Sequence, residues 1–235
     1  NELAKVVTRE HGKTLDDAKG SIARGIELLE WCCGLVNHWQ STFTHQAATG
    51  VDCYTLRQSL GVCVGVSPFN FPVMVPMWMM LPAIACGNTF ILKPSEQTPT
   101  AALLLATWLT EAGLLPGVIN IVHGDKEAVA TLITAKEVEA VTAVASTKVA
   151  AEIYQQAVSL NKRVHTFGGA KNHAVVMPDA NLDETVKAIL GAAFGSAGQR
   201  CMALSVVVTV GQDCKEALFA KLIPQAKAIK IGSGK

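Results

Sequence analysis

Between residues 60 and 177 the chain alternates short β-rich runs with stretches of helical periodicity, and few architectures accommodate that alternation. The runs are VCVGV (62–66), TFIL (89–92), VINIV (118–122), VEAVTAV (138–144), RVHTF (163–167) and HAVVM (173–177). Most are continuous and apolar, as expected of strands covered on both faces. TPTAALLLATWLTEAG lies between the second and third, with Thr98 as N-cap, Pro99 as first helical residue and Gly113 as stop. Further helices are expected near 125–135 and 147–158. The pattern predicts an α/β fold, a doubly wound and mostly parallel sheet.

The flanks read differently. Residues 1–40 are helical in pattern, and residues 41–60 form a polar β-hairpin with ATG at its bend. The sheet unit occupies 61–170, and a second α/β unit begins within 171–235. In that last part Val186, Ile189, Leu190, Ala193 and Phe194 recur at helical spacing. Asn181 and Glu184 have the offset of a capping box, Gly195 and Gly198 end the helix, and SVVVTV (205–210) is a strand. Cys201 therefore falls in a helix-to-strand turn. NELAKVVTREHG starts without a methionine or a basic-then-apolar leader, and AKAIKIGSGK stops without a capping element. The expectation is a piece of a longer protein from which any targeting signal is missing.

Composition excludes several classes. A formal charge of +1 provides no basic surplus for nucleic acid. The longest apolar run, VMVPMWMMLPAIAC (73–86), is too short to span a bilayer and carries two prolines, so a buried helix is expected and no membrane partner. The seven cysteines are odd in number and lack C-x-x-C spacing. That argues against a disulfide framework or a metal site and for a reducing compartment, the cytoplasm or alternatively the mitochondrial matrix.

The usual phosphate loops fail. There is no G-x-G-x-x-G, and GSGK (232–235) lacks the first glycine and the Ser/Thr of a P-loop. LKPSE (92–96) ends a strand where ligands of open α/β sheets sit. There Lys93 and Glu96 could meet ribose hydroxyls, although such a turn is more often simply solvated. SPFNFP (67–72) ends another strand and offers the Asn70 amide as an oxyanion donor, or as a turn-closing side chain. Arg200 places a positive charge beside Cys201. A free cysteine is otherwise most often an inert core residue.

SPFNFP, GNTFILKPSE, GLLPGVINIVHG, GAKNHAVVMPDANLDETV and GAAFGSAGQRCMALS together, in this order, resemble the aldehyde dehydrogenase superfamily. PFNFP, GAKNHAVVMPDAN and GQRCMALS are most similar to its methylmalonate-semialdehyde dehydrogenase branch, which makes acyl-CoA with NAD and coenzyme A. The resemblance implies a Rossmann variant with an NAD-binding part (1–40 and 61–170), a hairpin belonging to an oligomerisation region, and the start of a catalytic domain. It implies Cys201 as nucleophile and Asn70, with the Cys201 N–H, as oxyanion donors. It implies Phe69, Lys93, Glu96 and Ser146 on the cofactor, and Arg200 and Arg24 on the substrate carboxylate. The implied partners are a small semialdehyde, coenzyme A and further copies of the chain, as a homodimer or homotetramer.

Two departures stand out. Phe167, counting back from Lys171, occupies the place of the glutamate that activates water in hydrolytic members, and a phenyl ring cannot do so. That agrees with release by the coenzyme A thiol, although the branch itself usually has a polar residue there. Ala145 and Ala150 stand where the superfamily often has glycine, adding two methyl groups on the cofactor side. A hydrolytic aldehyde dehydrogenase and a non-catalytic nucleotide-binding piece remain as alternatives.

Overall fold

The computed structural model describes residues 1–234; Lys235, the end of the GSGK stretch, lies outside the described residues. The chain opens with α1 (Glu2–His11) and α2 (Leu15–Cys33), followed by the hairpin β1 (Phe43–Ala48) and β2 (Val51–Tyr54). Then come β3 (Val62–Val66), α3 (Met74–Ala85), β4 (Thr89–Lys93), α4 (Thr100–Glu111), β5 (Ile119–Ile121), α5 (Lys126–Thr134), β6 (Val138–Val144), α6 (Thr147–Ser159) and β7 (Arg163–Phe167). The last part is β8 (Asn172–Val176), α7 (Leu182–Phe194), β9 (Leu204–Thr209) and α8 (Gln212–Lys227).

Strands β3 to β7 form one parallel sheet in the order β5-β4-β3-β6-β7. The chain steps outward from β3 to β5 and then returns to β6 on the other side. The carboxyl ends of β3 and β6 therefore flank a topological switch point, where open α/β sheets bind ligands. Alternation along β3 sends Val62, Val64 and Val66 to the α5–α6 side. Cys63 turns to the α1–α4 side with Phe90 and Leu92. A register shift between Val62 and Cys63 inserts Glu139 into β6, so Val138 and Val141 share a face despite their odd spacing. Gly65 admits the Phe90 ring, which would lie 2.5 Å from an added Cβ. Gly25 likewise lets α2 close on α3, against Met77.

Three expectations are corrected. Thr98 does not cap α4: the helix begins at Thr100 with Pro99 before it, and the buried Thr98 hydroxyl donates to the Phe69 carbonyl at 3.5 Å. The capping box on α7 is half formed. Asn181 accepts from the N–H groups of Asp183 and Glu184, but the Glu184 carboxylate turns to Lys187 at 2.8 Å. Finally, the run at 173–177 does not extend the five-stranded sheet. β8 pairs in parallel with β9, covered by α7 and α8 through Val176, Val186, Ile189, Cys214 and Leu218. Helix α8 carries no strong periodic signal and was not expected from the sequence. No helix is long and apolar enough to cross a membrane among the described residues.

Candidate active site

The turn before Cys201 is built from unusual backbone. Ser196, Ala197 and Gly198 take φ values of 55°, 52° and 74°, so three successive residues are left-handed. The two with side chains each carry a cost of roughly 1–2 kcal/mol. The turn is held by Gln199 N–H to the Ser196 carbonyl and Arg200 N–H to the Gly198 carbonyl, both 2.9 Å. Asn70 Nδ2 reaches across from the β3–α3 loop and donates to the Gln199 carbonyl at 3.0 Å. Asn70 and Cys201, far apart in the chain, are thereby brought to one turn. One Nδ2 hydrogen is spent on that bond, which leaves the second uncommitted among the described residues.

A side chain the sequence did not single out completes the support. Asn172, at the start of β8, donates from Nδ2 to the carbonyls of Cys201 (2.8 Å) and Ala203 (2.9 Å). Its motif, GAKNH, carried the family resemblance. The bond partners lie some thirty positions away, where spacing says nothing.

Two cavities meet at this turn. The first, about 820 Å³, is lined by Cys201, Met74, Val75, Trp78, His165 and Phe167, among others. Phe167 and His165 share one face of β7, with ring centroids 4.4 Å apart. No carboxylate lines this cavity among the described residues. The second, about 750 Å³, shares Met74 and Trp78 with the first. It is edged by one stripe of α2: Asp17, Gly20, Ser21, Arg24, Glu27, Leu28 and Trp31, recurring every three or four residues. Arg24 and Arg200 both line it.

Each arginine already has a carboxylate. Arg200 Nη2 donates to Asp17 Oδ1 at 2.8 Å, and Arg24 Nη1 to Glu27 Oε2 at 2.8 Å. The Asp17 pair is largely buried, the Glu27 pair mostly exposed. Gly195 is required beneath the Arg200 guanidinium, which would lie 2.7 Å from an added Cβ. Asp17 was not expected from the sequence, because its partner is 183 residues away. The stripe it shares with Arg24 was a readable signal.

Across the sheet end, Lys93 Nζ donates to Glu96 Oε2 at 2.9 Å, with the lysine side chain only 6% exposed. A bond from its own backbone, and then the Lys93 ammonium, hold the Glu96 carboxyl below the usual range. Phe69, half-buried, stacks on His11 at 5.9 Å. Ser146 is the N-cap of α6, but its hydroxyl makes no capping bond. The helix thus presents amides that no side chain satisfies, at the switch point, and these suit an anion. Thr147 Oγ1 accepts from Gly169 N–H at 3.0 Å, tying this helix start to the loop after β7. Ala150 is buried. Ala145 donates its N–H to the Phe167 carbonyl at 3.1 Å.

The sequence matches the aldehyde dehydrogenase family over residues 1–235. The chain belongs to this family. A malonate-semialdehyde dehydrogenase of Pseudomonas aeruginosa is 53% identical over 99% of the chain and 47% of its own length. The acylating, mitochondrial methylmalonate-semialdehyde dehydrogenase of Arabidopsis thaliana is 48% identical over the whole chain and 38% of its own. Among solved structures, the methylmalonate-semialdehyde dehydrogenase of Oceanimonas doudoroffii superposes with a TM-score of 0.96 at 48% identity, over 99% of this chain and 48% of that one. A Sinorhizobium meliloti protein assigned to the same activity and complexed with NAD gives 0.97 at 50%, over 100% and 48%. The chain therefore spans about half the length of these aldehyde dehydrogenases.

Proposed function

We propose that the protein to which this chain contributes oxidises a malonate-type semialdehyde to an acyl-CoA, using NAD and coenzyme A. The observation that carries this reading is the pair of adjoining cavities, one lined by the Cys201 thiol and the other by two arginines. A short aldehyde bearing a carboxylate would lie across them, its acid group toward Arg24 and Arg200 and its carbonyl toward Cys201. Bidentate guanidinium pairing suits the acid.

The Cys201 sulfur adds to the aldehyde carbonyl, and the free hydrogen of Asn70 Nδ2 with the Cys201 N–H receives the oxyanion. NAD, when bound, would supply the acceptor for the hydride that leaves the carbon. What remains on Cys201 is a thioester. The thiol of coenzyme A takes the acyl group and returns the cysteine. Phe167 supports thiol release over hydrolysis, since a phenyl ring stands where hydrolytic members carry a water-activating glutamate and no carboxylate lines the cavity among the described residues.

The residues present fit NAD. Lys93 and Glu96 would hold the adenosine ribose, Phe69 would lie beside it, and the uncapped start of α6 at Ser146 would take the pyrophosphate. The Glu96 carboxylate would repel a 2′-phosphate. The division into NAD-binding and catalytic parts, the hairpin as an oligomer contact, and a homodimer or homotetramer belong to the same reading. In the full-length protein, Cys201→Ala should abolish acyl-CoA formation while NAD still binds by calorimetry. Turnover that survives the substitution, or free acid formed without coenzyme A, would overturn the mechanism.

A further inference from the structure

Behind the arginine cavity, against the Phe71 ring that lines it, lies a buried cation that the proposed mechanism does not use. Lys13, in the turn between α1 and α2, is 3% exposed. Its Nζ has no hydrogen-bond partner among the described residues. It stands 4.2 Å from the centroid of the Phe71 ring, next to Asn70, in a cation–π contact. Burial pushes its pKa down, the Asp17 carboxylate pulls it up, and Arg200 pushes it down again. Burial, and then the Lys13 charge, also hold neighbouring His11 below the usual imidazole value, so the histidine adds little charge of its own.

The electrostatics of the arginine cavity follow from counting signs. Arg24 is matched by Glu27 and Arg200 by Asp17, so the four groups on the cavity wall cancel. An arriving carboxylate would meet a neutral wall. Lys13 breaks the balance from behind. Its ammonium sits on the Phe71 ring, and Phe71 lines the cavity, so one positive charge stands unmatched just behind the wall. Because the ammonium is shielded from water, its field is weakly screened.

We propose that Lys13 is a specificity-determining residue, supplying the unmatched positive charge that makes the Arg200 cavity prefer a carboxylated aldehyde. The inference rests on the semialdehyde reading above and deepens it. Lys13 touches no reacting atom; it acts through Asp17 and Arg200.

The test uses the full-length protein with malonate semialdehyde and with propanal, a neutral aldehyde of the same carbon count. The readout is the ratio of kcat/KM between them. Lys13→Met, similar in length and uncharged, should lower that ratio about tenfold. Adding Asp17→Asn should restore it to within about threefold of the starting value, since Arg200 alone then supplies the net charge. The amide introduced by Asp17→Asn keeps an oxygen that accepts from Arg200, so aim is retained while charge is removed. A purely structural role for Lys13 predicts no such rescue. A ratio that stays low in the double variant, or that never falls in Lys13→Met, overturns the inference alone. A wild-type protein indifferent to the carboxylate overturns the semialdehyde reading and this inference together. If Lys13→Met does not fold, Asp17→Asn alone decides: the ratio should rise, and an unchanged or lower ratio overturns the proposal.

Discussion

The central sheet and the β1–β2 hairpin are both β structure, yet opposite forces hold them. In β3, Val64 is fully buried between helices, its β6 neighbour Val141 is nearly so, and its β4 neighbour Ile91 is partly buried. In the hairpin every residue is exposed, including Phe43, Val51 and Tyr54. Its bonds are local: Thr42 to Thr55, and Gln46 N–H to Asp52 Oδ1 at 2.7 Å. A two-stranded ribbon with no covered face is marginal by itself. The contrast teaches that strand propensity gives both regions the same local shape, while burial alone decides which one carries stability.

The largest effect that would break this comparison is in the core. Leu92→Ala, at a fully buried β4 position, should cost about 2–5 kcal/mol in urea unfolding. A loss comparable with that of a hairpin substitution would refute the contrast.

A second test uses one residue type in both regions. Cys63 on β3 is buried and Cys53 on β2 exposed, and neither is bonded. A thiol reagent should label Cys53 in the native state and Cys63 only on unfolding. Burial pushes the Cys63 thiol pKa up, so the folded chain holds that proton longer than the unfolded one. The resulting stability is complete below the ordinary thiol pKa and is lost as pH rises through the raised value. Cys63→Ala should flatten the alkaline decline seen in denaturation above about pH 8. Cys32, raised by the same cause, retains part of the slope.

The smallest effect belongs to the hairpin. Thr55→Ala should change unfolding free energy by no more than about 0.5 kcal/mol, while hairpin amides exchange far faster than those of β3.

Much of the fold was legible. β3, β6 and β7 have the bounds their apolar runs suggested, and the helices after β5 and β6 begin at Lys126 and Thr147. Helix α8 was not legible, because its sixteen residues bury only Cys214 and Leu218. The candidate site was legible where a motif marks a connection, with Asn70 and Lys93 at the ends of strands and Cys201 in a helix-to-strand turn. It was not legible at Lys13, Asp17 and Asn172, whose partners lie elsewhere in the chain.

By itself, then, the order of residues determined the alternation of strands and helices and the glycine-rich turn before Cys201. These follow from side-chain chemistry acting over a few positions. Only the folded chain decided that β8 leaves the main sheet for β9, that Asp17 meets Arg200, and that the Lys13 ammonium lies buried against Phe71. Such pairings arise when the sheet's crossovers bring distant segments together, where charge and packing act through space.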